Sequence, residues 1–255
     1  MGYSGVELAI GNPESIDIDA IETAARRCGL EVPAIGTGLA FIEEGLSLSS
    51  LDEEIREKAL KRMVDHIDLA RRLNGQVIIG LVRGKVDGAP IGSRRWKNSF
   101  DKLTESIDRL CDYASKSNTI LAIEPINRYE TSFLNKTDDV LSFISRFKYS
   151  GLKVLLDTFH MNIEEGDFST PVAKARGLIS HIHFADSNRR YPGEGHIDFK
   201  RIAKDLKDIG YRGYISGEIT LEPGFDECAK EFMANTKECL KSEELQDSAI
   251  YQKRI

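Results

Sequence analysis

The chain has 255 residues, with 35 lysines and arginines against 41 aspartates and glutamates, which gives a net charge of −6 at pH 7. Its 41% hydrophobic and 30% charged residues are typical of a folded globular protein and exclude a disordered or collagen-like chain. The acidic balance argues against a bulk nucleic-acid binder, because neutralising phosphates needs a basic surface. No apolar run approaches the roughly 20 residues of a membrane-spanning helix, and the N-terminus shows no secretory signal.

Seven short runs of β-branched and apolar residues recur along the chain and predict strands that are buried on both faces of a parallel sheet. The predicted strands are Val6–Ile10, Val32–Thr37, Gln76–Val82, Thr119–Ile126, Lys153–Thr158, His181–Ala185 and Tyr214–Ile219.

Segments with helical spacing of their apolar residues lie between these runs. The predicted helices are Asp17–Leu30, Glu53–Leu73, Asp101–Ser117, Thr137–Phe147, Pro171–Leu178 and Glu227–Leu240, and a further helix begins after Asp198. Ser50 and Glu53 match a capping box before the second of these helices, and Asp198 is a plausible N-cap. Trp96 is expected to pack at the start of a helix.

The four cysteines form no CxxC pair and lie far apart in apolar helical contexts, so we expect buried, reduced thiols. They are Cys28, Cys111, Cys228 and Cys239. With no signal for another compartment, a cytoplasmic location is the default expectation.

Alternating strands and helices without a low-complexity linker predict a single α/β domain, either a TIM (β/α)₈-type barrel or a doubly wound open sheet. No GxGxxG or GxxxxGK[ST] follows a strand, which weakens a nucleotide-binding function. Only seven strands are recognisable, and the chain opens almost directly on a strand, so the barrel is expected to lack its first βα unit. The predicted domain spans residues 1–240, and residues 241–255 form a polar tail.

Ionisable side chains stand at the C-terminal ends of four consecutive predicted strands. They are Glu124, Asp157, His183 and Glu218. In a parallel barrel these strand ends converge on the catalytic face. Two glutamates, one aspartate and one histidine form a hard, mostly oxygen ligand set that suits Mn²⁺, Co²⁺ or Mg²⁺, with Zn²⁺ less favoured because thiolates are absent.

A structural alternative explains any one of these side chains as a helix cap or a loop hydrogen-bonder. It explains four in a row less well, because a buried carboxylate without a partner is costly to desolvate. Further polar residues follow in the loops that build pockets in such folds, namely Glu130, His160 and Arg189.

Four strings in the C-terminal half resemble the ketose 3-epimerases, the D-tagatose and D-psicose 3-epimerase group of the xylose-isomerase-like sugar phosphate isomerase/epimerase barrels. The strings are EPINRYE, LLDTFHMNIEE, HIHFADSNRRYPGEGHIDF and GEI, in that order. The N-terminal half carries no motif of comparable specificity.

The resemblance implies that Glu124, Asp157, His183 and Glu218 bind one divalent metal ion, typically Mn²⁺ or Co²⁺. It also implies that Glu130, His160 and Arg189 contact the O1 and O2 end of a small ketose. His181 does not have the spacing of the ligand and is expected to support or pack against it. Family members form dimers or tetramers, so a homodimer or homotetramer is expected by analogy. Their barrels begin with a βα unit of about 30 residues, so either this barrel has seven strands or its start lies upstream of Met1.

The predicted reaction is epimerisation of a ketose at C3 through an enediolate, which a metal would stabilise as a Lewis acid. It needs two bases flanking C3, and Glu124 and Glu218 are the expected acid/base pair. An aldose–ketose or hydroxypyruvate-type isomerase on the same site is the nearest alternative. An endonuclease IV-like abasic-site nuclease is disfavoured, because its Asp-x-His pair is absent from the stretch Asp186–Arg190. A non-catalytic sugar-binding barrel is the remaining alternative.

Overall fold

The computed structural model describes residues 1–241, which form one seven-stranded parallel sheet with helices outside it. The strands lie side by side in chain order and pair only with their sequence neighbours. They are β1 (Leu8–Ala9), β2 (Ala34–Gly36), β3 (Gln76–Ile79), β4 (Leu121–Ile123), β5 (Leu152–Asp157), β6 (Ile179–Phe184) and β7 (Tyr214–Gly217). Among these strands no backbone ladder joins β7 to β1, so the sheet is a curled, open barrel that confirms the prediction of a TIM barrel lacking one unit.

Nine α-helices lie between and after the strands within the described residues, together with the two 3-10 helices Pro13–Ser15 and Leu81–Arg83. The α-helices are α1 (Ile18–Cys28), α2 (Gly38–Glu44), α3 (Glu53–Leu73), α4 (Arg94–Ser115), α5 (Thr137–Ile144), α6 (Thr158–Glu164), α7 (Ser169–Lys174), α8 (Phe199–Asp208) and α9 (Phe225–Leu240). None of them is long and apolar enough to cross a membrane.

The strands bury both faces, as the continuous apolar runs predict. One set of side chains points into the curl and forms a small inner cluster of Ala34, Ile78, Ala122 and Leu155. The alternate set, including Ile35, Val77 and Ile123, joins the main core between the sheet and the helices. The alternation follows from the two-residue period of a strand. The inner cluster fills the lower part of the curl and leaves the carboxyl ends of the strands open for a site.

The helix predictions are most accurate for long amphipathic segments. Helix α3 has its predicted bounds, and Asp198 caps α8 by accepting the backbone N–H of Arg201 at 3.0 Å. The predicted capping box of Ser50 and Glu53 is wrong. Asp52 is the N-cap of α3, because its Oδ1 accepts the backbone N–H groups of Glu54 and Ile55.

Two short helices, α2 and α6, were not predicted, and α4 begins seven residues before its predicted start at Asp101. Ser93 accounts for the earlier start, because its hydroxyl accepts the backbone N–H of Trp96 and caps the helix there. Trp96 packs in the first turn as predicted and stacks on Phe100 with ring centroids 5.1 Å apart.

The cysteine prediction is confirmed for the buried Cys111 and Cys228 and is wrong for Cys28, which is exposed at the end of α1; Cys239 is partly buried. All four are free thiols. The predicted domain boundary at residue 240 stays a prediction, and the predicted polar tail lies, beyond Lys241, outside the described residues.

Candidate metal centre and sugar pocket

The four predicted metal ligands meet at the carboxyl end of the sheet. Glu124 follows β4 directly, Asp157 is the last residue of β5, His183 lies one residue before the end of β6, and Glu218 follows β7. The register places Asp157 beside His183, and His183 beside Ser216 two positions before Glu218. Four adjacent strands therefore present their ligands at one level.

The donor atoms of these four side chains all lie within 4.8 Å of one another. Nδ1 of His183 is 3.5 Å from Asp157 Oδ2, 3.7 Å from Glu218 Oε2 and 3.8 Å from Glu124 Oε1. Ligands bound to one ion through bonds of about 2.1 Å lie roughly 3 to 3.5 Å apart. The three distances from His183 Nδ1 therefore lie at or slightly above the separations of a bound set.

Three of these donor atoms are buried and have no hydrogen-bond partner: Glu124 Oε1, Asp157 Oδ2 and His183 Nδ1. Unpaired buried polar atoms are costly, and three that point at one another suit a shared cation better than a set of ordinary hydrogen bonds. The two carboxylate oxygens of Asp157 have different roles. Its Oδ1 caps α6 by accepting the backbone N–H groups of Phe159 and His160. Its other oxygen is left for the cluster, and the donor set fits a divalent metal.

The electrostatics of the cluster pull its pKa values apart. Burial and the neighbouring Glu218 raise the pKa of Glu124 well above its ordinary value. Burial opposes charge on Asp157, but the neighbouring imidazole of His183 lowers the pKa of Asp157 below its ordinary value. Burial alone would lower the pKa of His183, whereas the carboxylates around it, Glu7 first among them, hold it well above its ordinary value. The raised pKa values of Glu124 and His183 mean that these two groups hold protons in the absence of metal. A divalent cation bound between the four side chains would displace those protons.

The three predicted sugar contacts lie next to the cluster. His160 Nε2 is 3.7 Å from Glu124 Oε1, and His160 Nδ1 accepts a hydrogen bond of 2.8 Å from the side-chain amide of Asn127. The same amide donates to Glu130 Oε1 at 2.8 Å. Burial lowers the pKa of His160. His160 is therefore a neutral imidazole whose Nε2–H points toward the cluster.

Arg189 joins the sugar contacts to the cluster. Its guanidinium donates to Glu218 Oε2 at 2.9 Å and to Glu130 Oε1 at 3.4 Å, and it lies 4.9 Å from the ring centroid of Phe159. Its backbone φ of 59° is in the left-handed region. Asp186 shapes the loop that carries it, since this buried carboxylate accepts backbone N–H groups of the residues that follow.

A cavity of about 360 Å³ opens on these groups. Its polar lining consists of Glu7, Thr37, Glu124, Glu130, His160, His183, Arg189 and Glu218. Its apolar lining includes Leu39 and Ile42 from α2, with Leu81 and Ile126. The cavity can thus hold a small polyol with its oxygen-rich end against the cluster.

Sequence reasoning did not find three polar residues of this region. Asn127 aligns His160 with Glu130, and Asp186 orders the Arg189 loop. Glu7 directly precedes β1 and reaches the cluster with its Oε2 3.0 Å from Nε2 of His183. The signal for Glu7 is a carboxylate inside the apolar run Val6–Ile10, whereas His181 was expected to be a support and is bonded to Glu7.

Known proteins of similar sequence and fold identify the family of this chain. Residues 1–239 match the family model described as a xylose isomerase-like TIM barrel. The L-ribulose 3-epimerase of Mesorhizobium japonicum is 29% identical over 220 residues, which are 85% of this chain and 71% of that protein. The D-psicose 3-epimerase of Ruminiclostridium cellulolyticum is 29% identical over 229 residues, 88% of this chain and 74% of that protein. A solved L-ribulose 3-epimerase superposes with a TM-score of 0.81 at 26% identity, over 97% of this chain and 89% of the other. The chain therefore belongs to the xylose isomerase-like TIM barrel family.

Proposed function

We propose that this protein is a metal-dependent ketose 3-epimerase that acts on a small unphosphorylated ketose. The observation that carries the proposal is the convergence of three unpaired buried donor atoms with Glu218, within 4.8 Å of one another, beside a cavity that Arg189, Glu130 and His160 also line. The relatives that act on L-ribulose and D-psicose support it, and these two ketoses are the first substrates to test.

Epimerisation at C3 removes the C3 proton from one face and returns a proton to the other. Glu124 and Glu218, which lie on strands separated by β5 and β6, are the proposed acid/base pair. The Arg189 guanidinium donates to Glu218 Oε2 at 2.9 Å and so orients the Glu218 carboxylate. In the proposed scheme one of the two carboxylates takes the C3 proton from one face, and the other returns a proton to the opposite face.

The remaining groups hold the sugar. Arg189 and the Nε2–H of His160 are donors for the oxygens near C1 and C2, and Glu130 accepts from a hydroxyl. A divalent metal held by Glu124, Asp157, His183 and Glu218 would supply Lewis-acid stabilisation of the enediolate. We propose Mn²⁺ or Co²⁺, with Mg²⁺ and Zn²⁺ as alternatives, because the donor set is mostly carboxylate.

The test uses metal-loaded protein with L-ribulose, D-psicose and their phosphorylated forms in deuterated water. We expect C3 epimers of the free ketoses with solvent deuterium at C3 and no aldose. An aldose product would establish the isomerase alternative, and the absence of any reaction with every ketose would refute the proposal.

The acid/base assignment needs two variants and a control. Glu124→Gln and Glu218→Gln should each lower kcat at least 10²-fold, because general acid–base catalysis contributes about that much, while Mn²⁺ binding persists. Glu54→Gln, an exposed glutamate on α3 that pairs with Lys58, is the matched control and should retain wild-type turnover. Near-full activity of Glu218→Gln would refute the two-base scheme.

We further propose a homodimer or homotetramer in the cytoplasm, on the analogy with the relatives. Light scattering at several protein concentrations tests the oligomeric state.

A further inference from the structure

Glu7 is a carboxylate inside the barrel that the proposed reaction does not use. It precedes β1, its side chain is 18% exposed, and it lines the same cavity as the metal cluster. It enters from the edge of the sheet opposite β7, whereas the four proposed ligands belong to the strands β4 to β7.

One oxygen of Glu7 holds two imidazoles. Its Oε2 is 3.0 Å from Nε2 of His183 and 3.0 Å from Nε2 of His181. The two rings are perpendicular, with centroids 5.3 Å apart, and Nε2 of His181 also lies 2.8 Å from the hydroxyl of Ser216. These are hydrogen-bond lengths, and a carboxylate oxygen only accepts, so we assign the donated proton to Nε2 of each imidazole.

Only His183 carries this contact to the proposed metal. With Nε2 donating to Glu7, the opposite nitrogen Nδ1 faces Asp157, Glu218 and Glu124 at 3.5 to 3.8 Å and has no hydrogen-bond partner. The corresponding nitrogen of His181 is buried away from the ligand cluster. Glu7 therefore sits on one edge of the His183 ring and the proposed metal position on the other.

We infer that Glu7 is a positioning residue, which holds the His183 ring by its Nε2–H and so presents the Nδ1 lone pair to the divalent metal. A ligating histidine commonly donates its other N–H to a carboxylate, which sets the ring orientation and raises the basicity of the ligating nitrogen. The inference deepens the proposed function and rests on its metal site.

The test measures the dissociation constant of Mn²⁺ from the free-ion paramagnetic resonance signal, at one pH near 8. Glu7→Gln keeps the size of the side chain and removes its charge, and we expect about 10- to 100-fold weaker binding, the usual effect of losing such a partner. The metal-free variant should melt close to the metal-free wild type. Glu7→Asp keeps the charge on a shorter arm and should bind with intermediate affinity.

Two controls separate this role from charge and from packing. Glu31→Gln removes a carboxylate whose partner is the Tyr214 hydroxyl rather than a histidine, and it should bind Mn²⁺ within two-fold of wild type. Ser216→Ala removes the other contact of His181, and it should also bind normally if Glu7 acts through His183.

Mn²⁺ binding by Glu7→Gln that equals wild type would overturn the inference. So would two bound ions per chain, since Glu7, His181 and His183 would then form a second metal site. Failure of the wild type to bind Mn²⁺ would instead refute the proposed function. If Glu7→Gln does not fold, ¹⁵N-histidine NMR of the Zn²⁺-loaded wild type decides the question, and a proton on Nδ1 of His183 rather than on Nε2 would overturn the inference.

Discussion

One buried carboxylate, that of Asp186, holds the loop after β6 in place. We expect Asp186→Asn to destabilise this loop. Asp186 is fully buried. Its Oδ1 accepts the backbone N–H groups of Ser187 at 2.7 Å and Ile197 at 3.1 Å, and its Oδ2 accepts that of Gly193 at 2.9 Å. These contacts tie both ends of the loop that holds Arg189 against the cluster.

The size of the effect follows from these contacts. An asparagine that keeps the Oδ1 contacts points its NH₂ group at the Gly193 N–H, so one charge-assisted bond is lost at a cost of about 1.5 to 3 kcal/mol. The two remaining bonds go from a charged to a neutral acceptor and weaken by about 1 kcal/mol each. We expect a loss of about 3 to 5 kcal/mol in the free energy of unfolding, or local opening of the loop if this segment separates first.

Urea unfolding followed by circular dichroism measures the global loss, and amide hydrogen exchange at Ser187, Gly193 and Ile197 measures local opening. Asp198→Asn is the matched control from the same loop, because asparagine is as good an N-cap as aspartate and its cost should stay below about 0.5 kcal/mol. Equal stability and equal amide protection of Asp186→Asn and Asp198→Asn would refute the reasoning.

The same carboxylate has a defined pH signature. Burial opposes its charge, but the backbone N–H groups of Gly195, Ser187 and Ile197 lower the pKa of Asp186 below its ordinary value of 3.8. A carboxylate whose folded-state pKa is depressed contributes fully above its unfolded-state pKa and loses that contribution as the pH falls through the folded-state value. The stability gap between wild type and Asp186→Asn should be constant from about pH 6 to 8 and should close only below about pH 4.

Three other outcomes are expected. Chelation of divalent metal should lower the Tm of the wild type, because a bound ion at 100 times its Kd stabilises the folded state by about 2.7 kcal/mol; a Tm that ignores both chelator and added Mn²⁺ would argue against the site. A thiol reagent should label Cys28 rapidly and Cys111 only after unfolding, since burial raises the pKa of Cys111 to about 12; similar rates would contradict the packing of α4. Leu155→Ala, inside the curl, should lower the free energy of unfolding by about 2 to 5 kcal/mol in urea, and a loss under 1 kcal/mol would show that the inner cluster is loosely packed.

Local patterns predicted most of the fold because buried parallel strands have nearly continuous apolar sequences. Each of the seven strands overlaps its predicted run, and the chemistry-bearing residues stand where these runs end. Helix α6 escaped prediction because it follows β5 without a loop, and Asp157 is both the last strand residue and the N-cap. The capping box failed because Asp52 and Ser50 are both good caps and only the backbone path decides between them.

The candidate site likewise contains residues that the sequence predicts and contacts that it does not. The four proposed metal ligands could be predicted because each lies within one residue of the end of a strand, and the barrel brings such ends together. They are Glu124, Asp157, His183 and Glu218. The contact of Glu7 with His183 spans 176 positions of sequence, and no local pattern pairs them. The link of Asn127 to His160 depends on a turn whose geometry the residue types alone do not define.

The Glu7 contacts cross the interior of a sheet whose two edge strands are not joined by a backbone ladder, so they help to set how far the sheet can open. The backbone ladder runs from β1 to β7 and ends there within the described chain, so it behaves as a curved plate rather than a hoop. The Glu7 carboxylate and the imidazoles of His181 and His183 span the interior between the two sides of that plate. Widening of the curl would lengthen these two 3.0 Å contacts and would shift the His183 ring with them. We therefore expect the affinity for the ion to depend on the curvature of the sheet. An ion that holds His183 in place would also restrain opening of the barrel, because Glu7 holds the same ring from the β1 side.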